Sequence, residues 1–189
     1  MNDLSNLEIT ILLNQIAQGD DKAMTVLYKH YQRSLFAFVR LQVSDNSLAE
    51  EIVQETFLAV SHKPAGFNGT SKFSTWLCAI AKRKAIDHWR KINSQPVMRE
   101  MDEEINEIPD DNGNVLHFLL QNERDEILMA CIDRLSVAHK EVIHLAYVEG
   151  ASMNEIAKII SGPVGTVKSR IHHATLNITN CVSRTFGRD

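Results

Sequence analysis

Residues 96–126 of this 189-residue chain carry ten acidic side chains and two basic ones, a net charge of −8, together with Pro96, Pro109 and the Asn112-Gly113 pair. Such a stretch, acidic and punctuated by turn formers, reads as a solvated, flexible linker rather than as part of a packed core. It divides the chain into residues 1–95 and 127–189, each with a net charge of +2, so the formal −4 of the whole chain comes from the middle piece. Whatever folds here folds as two small units. Within the first, residues 72–91 hold Lys72, Lys82, Arg83, Lys84, Arg90 and Lys91 against the single acid Asp87. A local excess of cations attracts a phosphate backbone whatever the total charge.

The period of the apolar residues is helical in both units. Segments Leu7 to Ala17, Asp21 to Val43, Leu48 to Ser61, Thr75 to Lys91, Glu123 to Leu135, Ala138 to Val148, Met153 to Ile160 and Val164 to Val182 all read as amphipathic helices, and no stretch alternates as a strand does. The expected fold is therefore all-α: two helical domains, 1–95 and 127–189, joined by the linker 96–126. Ser47-Leu48-Ala49-Glu50 has capping-box spacing, and Ala49, Ile52, Val53, Thr56, Phe57 and Val60 then recur on one face. Glu51, Gln54, Glu55 and Leu58 fall on the opposite face, a pattern that by itself describes only a solvated surface. With 44% hydrophobic and 23% charged residues the composition is that of ordinary soluble protein. The apolar runs fall far short of the ~18 residues a membrane span needs, and the first thirty residues lack a secretory pattern, which makes the cytoplasm the expected compartment. Cys78, Cys131 and Cys181 are odd in number and widely spaced, and the expectation is three reduced, mostly packed thiols.

The second unit contains a recognisable pair of helices. Ser152-Met153-Asn154-Glu155 is a capping box opening a short helix with Ile156, Ala157 and Ile160 inward; Ser161-Gly162-Pro163 ends it, with Gly162 expected to supply the permissive turn backbone. In the next helix Val167, Ile171, Ala174 and Ile178 face the core, leaving Thr166, Lys168, Ser169, Arg170, His172 and His173 outside. Residues 152–174 thus have helix-turn-helix spacing, and the outward hydroxyls and cations suit phosphate oxygens and guanine edges. A helical hairpin with a solvated face would show the same apolar spacing.

Two strings carry a family resemblance. The first is Ala49-Glu50-Glu51-Ile52-Val53-Gln54-Glu55-Thr56-Phe57, followed by Phe73-Ser74-Thr75-Trp76-Leu77, Ile80-Ala81 and Ala85-Ile86-Asp87-His88. The second is Glu149-Gly150-Ala151-Ser152, Glu155-Ile156-Ala157 and Pro163-Val164-Gly165-Thr166-Val167-Lys168-Ser169-Arg170. With these, in this order and on either side of a linker, the chain resembles the bacterial sigma factors of RNA polymerase, in particular the extracytoplasmic-function group that keeps only sigma regions 2 and 4. The resemblance implies a transcription initiation factor whose partners are core RNA polymerase, through the β′ clamp helices and the β subunit, and promoter DNA. It also implies an anti-sigma factor, which in this family is often membrane-associated.

Residue by residue, the resemblance assigns Glu51, Gln54, Glu55 and Leu58 to polymerase binding. It assigns Asn68, Gly69, Thr70, Ser71, Lys72, Lys82, Arg83, Asp87, Arg90 and Lys91 to binding and melting the −10 element. Thr166, Lys168, Ser169, Arg170 and His173 go to the −35 element. Strand opening requires a pocket for an extruded base and cations for the backbone; Trp76, with Leu77, Ile80 and Ala81 as neighbours, reads as a packed core aromatic before a stacking platform, and Trp89 and Phe67 read the same way. The chain departs from the family pattern at Val164, where a glutamate is usual, at His173-Ala174-Thr175 in place of Arg-Ala-Arg, at Arg83 for a common asparagine, and near Ser61-His62, where a tryptophan often stands.

Other function classes fit poorly. His139 and His144 are five apart, whereas a zinc pair on a helix wants a spacing of four with further Cys, His or carboxylate ligands nearby. No nucleophile elbow, P-loop or dinucleotide fingerprint occurs, so neither catalytic residues, cofactor, metal nor small-molecule substrate is expected. The rival reading is a stand-alone helix-turn-helix regulator that binds DNA without polymerase, with a helical adaptor that binds only protein as a third.

Overall fold

The computed structural model describes residues 4–92 and 123–186, and the expected linker falls almost wholly outside them. The helices are α1 (Asn6–Ala17), α2 (Asp21–Arg40), α3 (Asn46–His62), α4 (Phe73–Ile92), α5 (Glu123–Asp133), α6 (Val137–Ile143), α7 (Met153–Ile159) and α8 (Val164–Phe186). A 3-10 turn spans Pro64–Gly66, and α6 runs into a π-helical turn at His144–Val148. The described residues contain no strand, in keeping with the all-α expectation. No helix among them is long and apolar enough to cross a membrane.

Local chemistry sets the helix starts. Ser5 and Glu8 form a capping box: the Glu8 N–H donates to Ser5 Oγ at 3.3 Å and the Ser5 N–H to Glu8 Oε2 at 2.8 Å. That reciprocal satisfaction of orphan amides pins the first turn of α1. Gly19, with φ +86, lets the chain reverse, and Asp20 caps α2 by accepting from the Lys22 and Ala23 amides. For α3 the expected cap is displaced. Asp45 rather than Ser47 accepts the end amides, from Ser47 at 2.7 Å and Leu48 at 3.3 Å, and the helix starts two residues earlier. A carboxylate at that position also meets the positive end of the helix dipole, which a hydroxyl does not.

α2 is the hub of the first unit, packing against α1, α3 and α4 through Leu27, Leu35, Phe38 and Val39. The inward set expected for α3, from Ala49 to Val60, is buried in full. In the second unit α8 packs against α5, α6 and α7, with Val167, Ile171 and Ala174 buried. On α7 the buried set is Ile156, Ala157 and Ile159, while Ile160 is only half-buried. The α7–α8 turn corrects a second expectation. Its left-handed residue is Ser161, at φ 54, and not Gly162. The Gly162 N–H reaches back to the Ala157 carbonyl at 3.0 Å, the bond of a Schellman ending whose left-handed position is Ser161.

Two features were not expected. Cys131 on α5 and Cys181 on α8 are joined by a disulfide across a sequence separation of 50, leaving Cys78 as the free thiol. This replaces the expectation of three reduced thiols: packing α5 on α8 brings the two Cα atoms to 5.7 Å, inside bridging range. Second, the two units pack directly on each other. Val142, Leu145, Ile156 and Val167 belong to the same buried apolar cluster as Phe38, Ile52 and Leu77.

Candidate polymerase and nucleic-acid interfaces

On α3, burying the Ala49 to Val60 stripe turns Glu51, Gln54 and Leu58 outward. All three are exposed, Leu58 to 56%, which is high for a leucine with no partner to cover it. Glu55 stands apart from them. Its carboxylate is engaged by α4, with Lys84 Nζ at 3.2 Å and His88 Nε2 at 3.5 Å. Burial raises its carboxyl, but the hydrogen bonds and charges of Lys84 and His88 outweigh that and hold it below the ordinary value. Glu51, Glu55 and His88 also place three potential ligand atoms within 4.8 Å of one another, though the Lys84 ammonium already supplies the positive charge at Glu55.

The loop before α4 is shaped by its own side chains. Asn68 Oδ1 accepts from the Thr70 amide at 3.1 Å and the Thr70 hydroxyl at 2.7 Å, closing a small Asx turn around Gly69, whose φ is +71. Asn68, Gly69, Thr70 and Lys72 are exposed and Ser71 is half-buried. Beneath them Phe67, Phe73 and Trp76 form an aromatic trio with centroids 5.3–5.6 Å apart. Trp76 is therefore a packed aromatic that supports the loop, whereas Trp89 is 46% exposed. Along α4, Arg83, Asp87 and Arg90 follow Trp76 at i+7, i+11 and i+14, so they share one side of the helix. All three are exposed, as is Lys91, and Arg90 Nη1 lies 3.6 Å from Asp87 Oδ1.

Lys82 departs from the expected exposed, phosphate-facing position. It is 9% exposed and its ammonium is hydrogen-bonded to Glu141 of α6, which is 4% exposed. The helical period explains this: Ser74, Cys78 and Lys82 are spaced four apart on the side of α4 turned toward the second unit, whereas Arg83 is one residue, about 100°, further round.

In the helix-turn-helix, the Ser152 capping box forms as expected, with the Ser152 N–H donating to Glu155 Oε2 at 2.7 Å. Lys168, Ser169, His172 and His173 are exposed on α8, and Thr166 and Arg170 are half-buried. His139 of α6 also borders this face. Burial lowers its pKa, and the nearby charges of Arg170 and His173 lower it further, so the ring stays neutral beside them.

Sequence reasoning missed the polar group between the units. Glu149, which belongs to the second string, is 4% exposed. It accepts from Ser34 Oγ of α2 at 2.6 Å, lies 3.1 Å from His144 Nε2, and is hydrogen-bonded by Ser74 of α4. Burial alone would raise its carboxyl; the bonds from His144, Ser34 and Ser74 and the His144 charge outweigh that and leave it below the ordinary value of 4.5. Neighbouring Gly150 has φ +65, and a side chain there would begin 2.9 Å from the Lys72 ammonium. Cys78 is buried, and burial, followed by the charges of Glu149 and Glu141, pushes its thiol well above the ordinary value.

Residues 27–95 match the family model Sigma-70 region 2, and residues 125–176 match Sigma-70, region 4. The chain is 32% identical over 175 residues to an ECF RNA polymerase sigma-E factor of Haemophilus influenzae, covering 89% of this chain and 92% of that one. It is 30% identical over 184 residues to the sigma-E factor of Escherichia coli, covering 94% and 96% respectively. In fold it is similar to CnrH, solved in complex with the cytosolic domain of CnrY, with a TM-score of 0.58 at 22% identity over 94% of this chain and 98% of that one. It is likewise similar to RpoE of Bartonella quintana, solved with the anti-sigma factor NepR, with a TM-score of 0.57 at 20% identity over 86% and 98%.

Proposed function

This chain belongs to the extracytoplasmic-function sigma factors of bacterial RNA polymerase, and from that premise we propose how its two units divide the work of initiation. The protein binds core RNA polymerase and directs transcription from specific promoters. Residues 1–95 form the polymerase-binding and strand-opening domain and residues 127–189 the −35-binding domain, with 96–126 as the linker. On α3, Glu51 and Gln54 meet basic and polar groups of the β′ clamp helices while Leu58 supplies the apolar anchor; Glu55 acts mainly by fixing α4 against α3.

The Asn68–Lys72 loop receives a base extruded from the −10 element, and Arg83, Arg90 and Lys91 hold the strand's phosphates. Trp76 acts from below as the loop's support. On α8, Lys168, Ser169 and His173 face the major groove of the −35 element with Thr166 and Arg170, in the manner of other recognition helices. The protein works in the cytoplasm, where the polymerase is, as a binding factor and not as a catalyst. An anti-sigma protein is the expected regulator, as for the structural relatives solved with one.

The observation that carries this reading is that both family strings place polar, exposed faces on separate units, α3 with its loop–α4 neighbour in one and α8 in the other. A run-off transcription assay with purified core enzyme tests it. Added protein should produce initiation at a defined start that core enzyme alone lacks, with little promoter binding by the free protein. A stand-alone regulator would instead bind its site tightly without polymerase and add no initiation.

A further inference from the structure

We propose that Glu51, Glu55 and His88 form a binding site for a divalent metal ion of the zinc class, on the seam between α3 and α4. The two glutamates are four residues apart on α3, so both carboxylates leave the same side of that helix, and His88 meets them from near the end of α4. One potential ligand atom from each of the three residues lies within 4.8 Å of the other two. Imidazole nitrogen and carboxylate oxygen are donors that zinc takes, and two carboxylates with a neutral imidazole balance the charge of a divalent cation.

The gap between His88 and Glu55 is the observation that points to an ion. His88 Nε2 is shut off from solvent, yet Glu55 Oε1 stands 3.5 Å from it, beyond the roughly 2.7–3.2 Å of an N–H···O bond. A buried ring nitrogen left unsatisfied in this way is costly. Around a tetrahedral ion with bonds of about 2.0–2.2 Å, neighbouring ligand atoms stand about 3.3–3.6 Å apart, so the observed spacing is that of two ligands on one ion. Lys84 does not fill this gap. Its Nζ is 3.2 Å from Glu55 Oε2, the other carboxylate oxygen, which leaves Oε1 for the ion. The ammonium then holds the carboxylate in place from outside, as outer hydrogen bonds commonly do at metal sites. Glu51 is exposed, so its side chain can swing to close the remaining distance, and the ion has a way in from solvent.

A bound ion ties α3 to α4 and withdraws Glu51 from other partners. This consequence rests on the functional reading above, which gives Glu51 to the β′ clamp helices; the ion site itself does not. A carboxylate whose charge is taken up by a divalent cation attracts a basic polymerase group far less, so zinc and core polymerase compete for α3.

Titration of the full-length, oxidised protein with Zn²⁺ alone tests the site, with binding read by competition against a chromophoric chelator. Cys131 and Cys181 are bridged and Cys78 is buried, so no thiol competes for the ion. Wild type should take up zinc, and its melting temperature read from tryptophan fluorescence should rise, since Trp76 and Trp89 report on the unit that holds the site. His88→Gln and Glu51→Gln should keep their helical circular dichroism and bind zinc at least ~10-fold more weakly. A wild type that takes no zinc from the chelator overturns the site. So does wild-type zinc affinity in either folded variant, which marks an adventitious ion only, held by other histidines. Glu51 is exposed, so Glu51→Gln decides the matter if His88→Gln does not fold. In a second arm, zinc should weaken the binding of wild type to core polymerase at least ~10-fold and leave that of His88→Gln unaffected. Equal wild-type affinities with and without zinc overturn the competition. The functional reading fails separately, if the protein binds no core polymerase while still taking up zinc.

Discussion

Reducing the Cys131–Cys181 bridge should destabilise the second unit far more than a single packing change would. The bridge closes a loop of 50 residues. In the chain-entropy description such a cross-link lowers the entropy of the unfolded chain by about 14 cal/mol/K, or ~4 kcal/mol at room temperature. Residues 123–186 make a unit so small that its core buries a modest share of its surface, and ~4 kcal/mol is a large part of what such a domain has. At about 4–8 °C per kcal/mol for a domain this size, the full effect corresponds to ~15 °C or more. The tryptophans give a spectroscopic separation, since Trp76 and Trp89 both belong to the first unit. Far-UV circular dichroism of the reduced protein should show an early transition absent from the tryptophan fluorescence, whereas the oxidised protein melts higher. Thiol titration under denaturing conditions should count one thiol before reduction and three after it. The reasoning is refuted if the bridge is shown to be present and its reduction moves the dichroism midpoint by less than ~3 °C. It is equally refuted if three thiols titrate in protein purified without reductant.

The remaining expectations concern single sites. Ser161→Gly should stabilise the second unit by roughly 1 kcal/mol, by removing the cost of a left-handed serine, and an unchanged urea midpoint would count against the turn geometry. Because the Glu149 carboxyl titrates below its unfolded value, its contribution to stability is complete above about pH 4.5 and is lost as pH falls through the lowered value. The stability advantage of wild type over Glu149→Gln, read from urea midpoints, should therefore vanish in acid, and an advantage that persists there contradicts the assignment. Leu58→Asp should weaken binding to core polymerase at least ~10-fold with no change in melting temperature, since the side chain is exposed in the free protein. Arg170→Glu should abolish promoter-specific initiation and spare polymerase binding; transcription at the wild-type level would remove α8 from the −35 assignment.

What could be read in advance followed the physics of periodicity. The buried face of α3 and the capping box at Ser152 are local patterns, and both form as expected. Caps were misplaced where two acceptors compete within a few residues, as Asp45 does with Ser47, because spacing alone does not say which one meets the dipole. Gly162 looked like the turn residue since glycine tolerates a positive φ, but the Schellman bond placed that conformation at Ser161. In the sequence Lys82 is one more cation in a basic segment, and neither Glu141 nor Glu149 carries a sign of burial. Their partners lie 59 and 115 residues away, and a sequence reports charges without reporting what they face. The Cys131–Cys181 bridge was hidden for the same reason: it exists only once α5 lies along α8.

Helix α4 has no idle side. Phe73, Leu77 and Ala81 fill the core, Lys84 and His88 fix α3, Ser74, Cys78 and Lys82 meet the second unit, and Arg83 and Arg90 face outward. A substitution on three of these sides is registered by packing before it can alter DNA recognition, so mutational freedom on this helix is confined to a narrow outer strip. On α8, by contrast, Lys168, Ser169, His172 and His173 touch little of the fold. Under the proposed assignment, changes in promoter preference should therefore accumulate at Lys168, Ser169 and His173 on α8 and, on α4, only along the outer strip of Arg83 and Arg90.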